Sequence, residues 1–406
     1  MMIDTIFNPN SEVQSPKSII GFDATALETP QRSGVGNYAA QLLAALMARN
    51  DGRHYALLAS RPLNGHAPLG AAGQIGRTLS NRSAWMQLVA PRIIDQLQPD
   101  VCHFTNSIAP LRSSRPIVIT LHDMSLFLHA NMHPLKSLLV ARPIIPLAVR
   151  RASAIITVSQ HAKEDIVNVL GIDRAKVHVV YEAAAPQYRV IDERAELDRV
   201  QNKYHLDRPF VLYVGTIEPR KNLTRLVQAF ARIRRPSTQL VLVGQLGWKY
   251  RSLLKQIEDM RLGDAIRLIG YVPDEDLPAL YNLARVFAFP SIYEGFGLPI
   301  VEAMACGTPV LTSNRSSMIE LGADAALLVD PLDVESLAVS LAHVLDDTNL
   351  RAELHRKGLQ RAAQFSWTRA AEETVKVYET VEASECHCSF QRRGGAGKAF
   401  ELSQPR

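Results

Sequence analysis

The sequence predicts an α/β protein built from two doubly wound domains that face each other across a cleft. Three observations predict it. The chain has 406 residues, a length that favours two or three domains over one. Apolar runs of five or six residues, bounded by turn residues, alternate with helical patterns in two successive series, as in parallel sheets covered on both faces. The residues able to do chemistry fall just after the strands, where open parallel sheets place their ligand crevice.

The first series opens with Ser18-Ile19-Ile20-Gly21-Phe22-Asp23. A loop of small and polar residues follows, ending in Ser33-Gly34-Val35-Gly36-Asn37, and then an amphipathic helix from Tyr38 to Ala48. Tyr55 to Leu58, Asp100 to Phe104, Pro116 to Leu121 and Ala154 to Val158 supply further strands. The second series starts at Pro209 to Gly215. It continues through Gln239 to Gly244, Ile266 to Gly270, Val286 to Pro290, Pro309 to Thr312 and Ala326 to Val329. Helices are expected at about 222–235, 250–261, 275–284, 298–306 and 333–346. The resulting division is a disordered lead over 1–17, a first domain over 18–185, a linker over 186–207 and a second domain over 208–365. Residues 384–406 read as a disordered tail. The segment Lys136 to Arg151 mixes aliphatic and basic residues and is interrupted by Pro143 and Pro146. It fits a helix on an anionic membrane surface or a buried helix with basic ends equally well.

Composition narrows the function. Apolar residues make up 47% and charged residues 21% of the chain, as in ordinary globular proteins. No apolar run reaches the roughly eighteen residues of a membrane span, and Met1 to Ser18 lacks the apolar core of a secretory signal. The four cysteines are too few for a disulfide scaffold. Cys102 and Cys306 read as buried thiols, and Cys386-His387-Cys388 lacks metal-site spacing. A cytoplasmic location fits, with peripheral contact at the inner membrane face as an option. The net charge of +5 suits anionic partners such as diphosphates or anionic lipids. No arginine-rich helix or aromatic RNA-binding motif is present, so no nucleic acid partner is expected.

The most informative stretch is 294–310, Glu-Gly-Phe-Gly-Leu-Pro-Ile-Val-Glu-Ala-Met-Ala-Cys-Gly-Thr-Pro-Val. Glu294 stands in a glycine loop, and Pro299 suits the first turn of the helix that follows. Glu302 lies one turn inside, while Gly307 and Pro309 end the helix. Free N–H groups at such a helix start attract anions, and Gly295 and Gly297 let a ligand approach the backbone closely. Phosphate between two carboxylates that can bind hydroxyl groups describes a nucleotide sugar.

This stretch resembles the E-x7-E signature of retaining glycosyltransferases with the GT-B fold, in which two Rossmann-like domains face across a cleft. More narrowly it resembles glycosyltransferase family 4, also called the glycosyl transferases group 1 domain, and within it bacterial mannosyltransferases of polysaccharide assembly. The resemblance implies that the first domain holds the acceptor and the second the donor. It implies a C-terminal helix, about 366–382, that packs back on the first domain. It also implies roles for single residues. Glu302 holds the ribose, Lys221 and Arg220 the diphosphate, and Glu294 the sugar hydroxyls. Backbone groups of Gly295, Phe296, Gly297 and Leu298 orient the sugar and phosphates. His122, at the end of the strand Pro116 to Leu121, lies near the reacting carbon. Gly34 and Gly36 approach the diphosphate and acceptor, and the turn at Gly270, Tyr271 and Val272 receives the nucleobase. Thr216 stands where many members carry arginine.

Within Glu218-Pro219-Arg220-Lys221-Asn222, Asn222 can also cap the next helix, and Ser159 reads as the N-cap of the helix after Ala154 to Val158. The expectation is a retaining transferase that needs no metal and no cofactor. It moves a hexose, mannose first, from a nucleotide-diphosphate sugar to a glycan or lipid-linked glycan. GDP-mannose is favoured over UDP-sugars as donor. A sugar phosphorylase or sucrose-type enzyme, a nucleotide-sugar isomerase and a catalytically silent nucleotide-sugar-binding subunit are the alternatives.

Overall fold

The computed structural model describes residues 17–29, 33–63, 72–75, 82–233 and 235–394. The lead, 1–16, and the end of the tail, 395–406, lie outside the described residues. Two sheets carry the chain. The first is ordered β3-β2-β1-β4-β5-β6-β7 and the second β10-β9-β8-β11-β12-β13, with every pairing parallel. In the first sheet these are β1 (Ser18–Asp23), β2 (Arg53–Leu58), β3 (Ala72–Ile75), β4 (Val101–Phe104), β5 (Ile117–Leu121), β6 (Ala154–Thr157) and β7 (Val177–Val179). In the second they are β8 (Phe210–Val214), β9 (Gln239–Val243), β10 (Ile266–Gly270), β11 (Val286–Phe289), β12 (Val310–Ser313) and β13 (Leu327–Val329).

Both faces of the first sheet are covered, and the side-chain period of two shows in the packing. On β5, Val118 joins one apolar cluster while Ile117, Ile119 and Leu121 join the other. This is why the central strands read as continuous apolar runs rather than alternating ones.

The C-terminal helix Trp367–Gly394 packs against helix Gly34–Ala48 and strands β4 and β6 of the first sheet. Its Tyr378 is buried and its hydroxyl lies 2.7 Å from His103 Nδ1. Arg53 donates to Glu379 at 2.7 Å, and the Ser18 hydroxyl donates to Glu382 at 2.6 Å.

Several expectations change. The helix Leu135–Arg151 runs through Pro143 and Pro146 unbroken. Ile145, Ala148 and Val149 bury themselves in the core, while Pro143 and the residues four before each proline lie on the outer, wetter side. The two carbonyls freed by the prolines therefore need no protein partner. That outer side also exposes Leu135, Leu139, Val140 and Leu147 beside Lys136, Arg142, Arg150 and Arg151. The tail is helical as far as Gly394, so Cys386 and Cys388 lie in a helix rather than in a disordered segment. The expected linker 186–207 contains the helix Arg194–Lys203, held to the second domain by Arg199, Lys203 and Tyr204 on the buried carboxylate of Asp276. The helix Thr348–Ala362 is an element the sequence pattern did not reveal. Its apolar positions are few, because only one narrow face meets the helix Leu298–Ala305.

Candidate active site between the two domains

The glycine loop after β11 enters the cleft and touches the first domain. A Cβ built on Gly295 would stand 1.8 Å from the main-chain oxygen of His122. No side chain larger than hydrogen fits there. Gly297 has φ +114° and precedes helix Leu298–Ala305, with no side chain capping that helix. Three hydroxyls tie the loop down. Ser159 donates to the Gly295 carbonyl at 2.6 Å, and Ser317 donates to the carbonyls of Glu294 and Phe296 at 2.9 and 2.6 Å. Ser316 accepts from the Glu294 N–H at 3.0 Å. Ser159 also caps helix Gln160–Leu170 by accepting from the Ala162 N–H at 3.0 Å, so one hydroxyl serves both domains.

Glu294, which is buried, and the half-buried Arg220 and Lys221 form one cluster. Arg220 Nη1 lies 2.6 Å from Glu294 Oε2, and Lys221 Nζ lies 2.6 Å from Glu294 Oε1. Arg220 also donates to Glu218 at 2.9 Å and to the Tyr293 carbonyl at 2.8 Å. Burial pushes the Glu294 carboxyl up, but the charges of Arg220 and then Lys221 outweigh it and hold it at about 2. Burial pushes the Lys221 amine down, and Glu294 only partly restores it. Two cations are thus concentrated on one carboxylate beside an uncapped helix start. Thr216 is exposed and stands outside this cluster. Asn222 does not cap with its side chain. With φ +59° it turns the chain, and its amide donates to the carbonyls of Pro290 and Pro331 at 3.1 and 2.6 Å.

His122 follows β5 and has both ring nitrogens engaged by acceptors. Nε2 lies 2.9 Å from the Thr105 carbonyl and Nδ1 3.3 Å from Glu182 Oε1. Burial lowers the affinity of the ring for its second proton, but the hydrogen bond and charge of Glu182 more than reverse this, so its pKa is raised. Acceptors at both ring nitrogens favour the imidazolium form, and what His122 presents to the glycine loop is its main-chain carbonyl. Tyr38 packs edge-on against the ring at 4.7 Å. Asp123, next in the chain, accepts from the N–H and hydroxyl of Ser125 at 2.8 and 2.6 Å, at the start of the short helix that follows.

Glu302 is buried on the next turn of the loop's helix. Its Oε2 accepts from the Tyr281 hydroxyl at 2.9 Å. Burial raises its carboxyl to about 7, against the Tyr281 hydrogen bond. It lines a cavity of about 60 Å³ with Asn37, Gln41, Tyr188, Asp274, Leu298 and Trp367, residues drawn from both domains and the C-terminal helix. Gly34 and Gly36 are not loop residues. They form the first turn of helix Gly34–Ala48, because the Ser33 hydroxyl accepts from the Gly36 N–H at 3.3 Å and starts the helix early. That turn brings Asn37 into the Glu302 cavity.

Gly270, Tyr271 and Val272 stand at the far edge of the second sheet. Gly270 turns the chain with φ +82°, and its carbonyl accepts from the Gly244 N–H at 2.8 Å. Three strand spacings separate β10 from β11 in the sheet order, roughly 14 Å at the usual spacing. Tyr271 is exposed and Val272 is buried. The sequence reading missed Glu182, Ser316, Ser317, Asn37 and Trp248. Trp248 crosses the cleft, its Nε1 donating to the Met132 carbonyl at 2.6 Å, and Lys249 beside it donates to the Asn131 carbonyl at 3.0 Å. Only the strand-end position of Glu182, three residues after β7, could have signalled any of them. Among the described residues, no three His, Cys, Asp or Glu side chains gather where they could hold a metal ion. No helix among them is long and apolar enough to cross a membrane.

Comparison with known proteins meets this geometry. The chain matches the model for Glycosyltransferase Family 4 over residues 32–187 and that for Glycosyl transferases group 1 over residues 194–361. It is 36% identical to O-antigen chain mannosyltransferase B of Escherichia coli over 69% of this chain and 74% of the relative. It is 33% identical to serotype-specific mannosyltransferase WbdA of Escherichia coli over 56% of this chain, but spans only 29% of that longer protein. Among solved structures it resembles sucrose-phosphate synthase from Thermosynechococcus elongatus, with a TM-score of 0.73, 21% identity and coverage of 91% of this chain and 100% of the other. It also resembles Anabaena HepE in complex with UDP-glucose, with a TM-score of 0.72, 19% identity and coverage of 89% and 100%. Those likenesses establish the GT-B fold. With two facing sheets, the E-x7-E loop at their junction and a relative matched along most of both chains, the protein belongs to the family 4 glycosyltransferases, with a glycosyl transferases group 1 domain.

Proposed function

We propose that this glycosyltransferase moves mannose from GDP-mannose to a saccharide or lipid-linked saccharide, with retention and without metal, in the assembly of a surface polysaccharide. The observation that carries the reading is the double pairing of Arg220 and Lys221 on Glu294, 2.6 Å each, at the start of helix Leu298–Ala305. Preorganised cations and helix N–H groups stabilise charge that grows on a departing diphosphate. Lys221 and Arg220 would hold that diphosphate, and Glu294 would turn to the sugar hydroxyls. Glu302 would accept from the ribose hydroxyls, with the nucleobase toward Gly270, Tyr271 and Val272. The main-chain carbonyl of His122 would face the positive charge that develops on the sugar ring. Mannose is favoured by the names of the relatives matched at 36% and 33% identity.

A thermal-shift panel of GDP, UDP, ADP and their sugars tests the donor, since a ligand that binds the folded state alone raises the melting point. GDP and GDP-mannose should give the largest shift, unchanged by EDTA. No shift with any nucleotide would end the reading, and a shift that needs a divalent ion would end its metal-free part. Product anomericity by NMR tests retention.

Contact with an anionic membrane belongs to the same reading. It rests on the exposed Leu139, Val140 and Leu147 beside Lys136 and Arg150, a pattern suited to the headgroup boundary. Flotation with anionic against neutral vesicles measures it.

A further inference from the structure

Another cavity, of about 530 Å³, opens at the opposite end of the first sheet. The loop before β5 lines it with Arg112, Ser113 and Arg115, and the end of helix Leu135–Arg151 with Arg151. The turn before β6 adds Ser153, and the C-terminal helix adds Glu385. All but Glu385 precede β5 or β6, whereas the cleft lies past the carboxyl ends of those strands. The length of β5 stands between them, so roughly 20 Å separates the cavity from His122.

Three guanidinium groups meet there, and little on the protein neutralises them. Arg112 is exposed and has no ion pair or side-chain hydrogen bond among the described residues. Arg151 donates to the Leu111 carbonyl and Arg115 to the Pro99 carbonyl. A carbonyl fixes a guanidinium in place without cancelling its charge. Asp100 stands 3.6 Å from Arg115 Nη2, and Asp95 is taken by the Ser114 hydroxyl at 2.5 Å. Glu385 is the acidic side chain in the lining. The negative end of helix Leu135–Arg151 would oppose an anion, but Lys176 meets it, donating to the carbonyls of Val149 and Arg150 at 3.0 and 3.1 Å.

The lining selects the ligand class. The planar fork of arginine matches the paired oxygens of a phosphate. Arg151 and Arg115 are already held by the main chain, and Arg112 is free to close on a ligand. The exposed Ser153 hydroxyl adds a donor at the rim. Aromatic side chains are absent from the lining among the described residues, so a nucleic acid strand would find no stacking surface. A metal cation would meet three positive charges and one carboxylate. A phosphate ester can come from solution or from a lipid headgroup. The helix favours the headgroup, because Leu139, Pro143, Leu147 and Arg151 follow at four-residue steps on one exposed face that runs into the cavity.

We propose that this cavity is a phosphate-binding site, separate from the catalytic cleft, that takes a phosphate ester on Arg112, Arg115 and Arg151. The site is independent of the transferase reading; a lipid as the source of the phosphate extends the membrane contact that accompanies that reading.

The test compares the full wild-type chain with Arg112→Gln/Arg151→Gln. Both changes lie outside the cleft, so any phosphate held in the cleft is common to the two proteins. Arg112→Gln is made alone as well; its guanidinium has no partner to lose, so one variant remains if the double one does not fold. One arm titrates glycerol phosphate by calorimetry at low salt. The other measures sedimentation with phosphatidylcholine vesicles carrying either phosphatidic acid or oleate at equal negative charge. Binding of the phosphate ester should weaken by about tenfold or more in the double variant, and the preference for phosphatidic acid over oleate should disappear. A loss confined to glycerol phosphate assigns a soluble ester, and a loss on phosphatidic acid beyond that on oleate assigns a lipid; either upholds the site. Equal binding by wild type and variants in both arms would overturn it. So would an equal loss on both kinds of vesicle with glycerol phosphate unmoved, since the arginines would then be a general positive patch. Neither arm depends on transfer or on a nucleotide sugar, so failure of this site and failure of the transferase reading are told apart.

Discussion

The main-chain oxygen of His122 and the α-carbon of Gly295 are in direct contact across the cleft, so that a methyl group on Gly295 would lie 1.8 Å from that oxygen and 2.7 Å from its carbon. Gly295 has no left-handed φ, and alanine is therefore compatible with its backbone. The obstruction is purely one of space between two domains. Gly295→Ala should hold the domains apart and leave each of them folded. We expect kcat/KM to fall by about a hundredfold, as misplacement of roughly an ångström does, with a melting point close to wild type. Small-angle scattering should show a larger radius of gyration. Wild-type activity in this variant would show that the contact is not needed for turnover.

Glu302 links donor binding to pH. Burial raises its carboxyl from the ordinary 4.5 to about 7. Between these values the folded state binds the proton more tightly than the unfolded state, so this group makes stability fall as pH rises from about 4.5 to 7 and then level off. The effect is on the order of 3 kcal/mol. Glu302→Gln should flatten that part of the curve of melting point against pH. Donor hydroxyls favour the carboxylate form, so donor binding near pH 6 should release a proton. Calorimetry in buffers of different ionisation enthalpy measures the release, and it should vanish in Glu302→Gln.

The His122 and Glu182 pair contributes a second pH dependence. Burial works against the imidazolium, yet Glu182 raises the ring above its ordinary 6.5. The stabilisation is complete below that value and is lost as pH rises through the folded pKa. Glu182→Gln keeps an acceptor for Nδ1–H but removes the charge. The His122 titration followed by NMR should move to lower pH, and the fall in melting point above pH 6.5 should be smaller and end at a lower pH than in wild type. An unmoved titration would show that Glu182 does not hold the charge.

Lys221 is the more separable of the two cations, because Arg220 remains to pair Glu294 when it is gone. Lys221→Ala should reduce kcat at saturating donor by about a hundredfold to a thousandfold, the usual cost of one preorganised stabilising group. Single-turnover kinetics would place the loss in the chemical step. A change confined to KM would mean that Lys221 binds the donor equally in ground and transition states.

Much of the architecture was legible because strands buried on both faces leave an unmistakable pattern. The run Phe210–Val214 is apolar throughout for that reason. The E-x7-E loop was legible because one helix turn separates its parts. Contacts between distant segments were not. Nothing local shows that Lys221 reaches Glu294, 73 positions away, or that Ser159 reaches Gly295, 136 positions away. The role of Asn222 was misread because an amide beside a helix start has several partners within reach, and tertiary packing chooses among them. The helix through Pro143 and Pro146 was misread for the opposite reason. Burial of Ile145, Ala148 and Val149 outweighs a local penalty that a sequence shows plainly.

The pairing of Ser18 with Glu382, 364 positions apart, bears on how the protein is made. A ribosome adds some 5–20 residues per second, so about 200 residues of the second half take roughly 10–40 s to follow the first. Throughout that interval His103 has no Tyr378 and Arg53 no Glu379. The nascent amino-terminal half waits with an uncovered seam that only the last stretch of chain can close. A late stop codon would damage the part of the protein synthesised first.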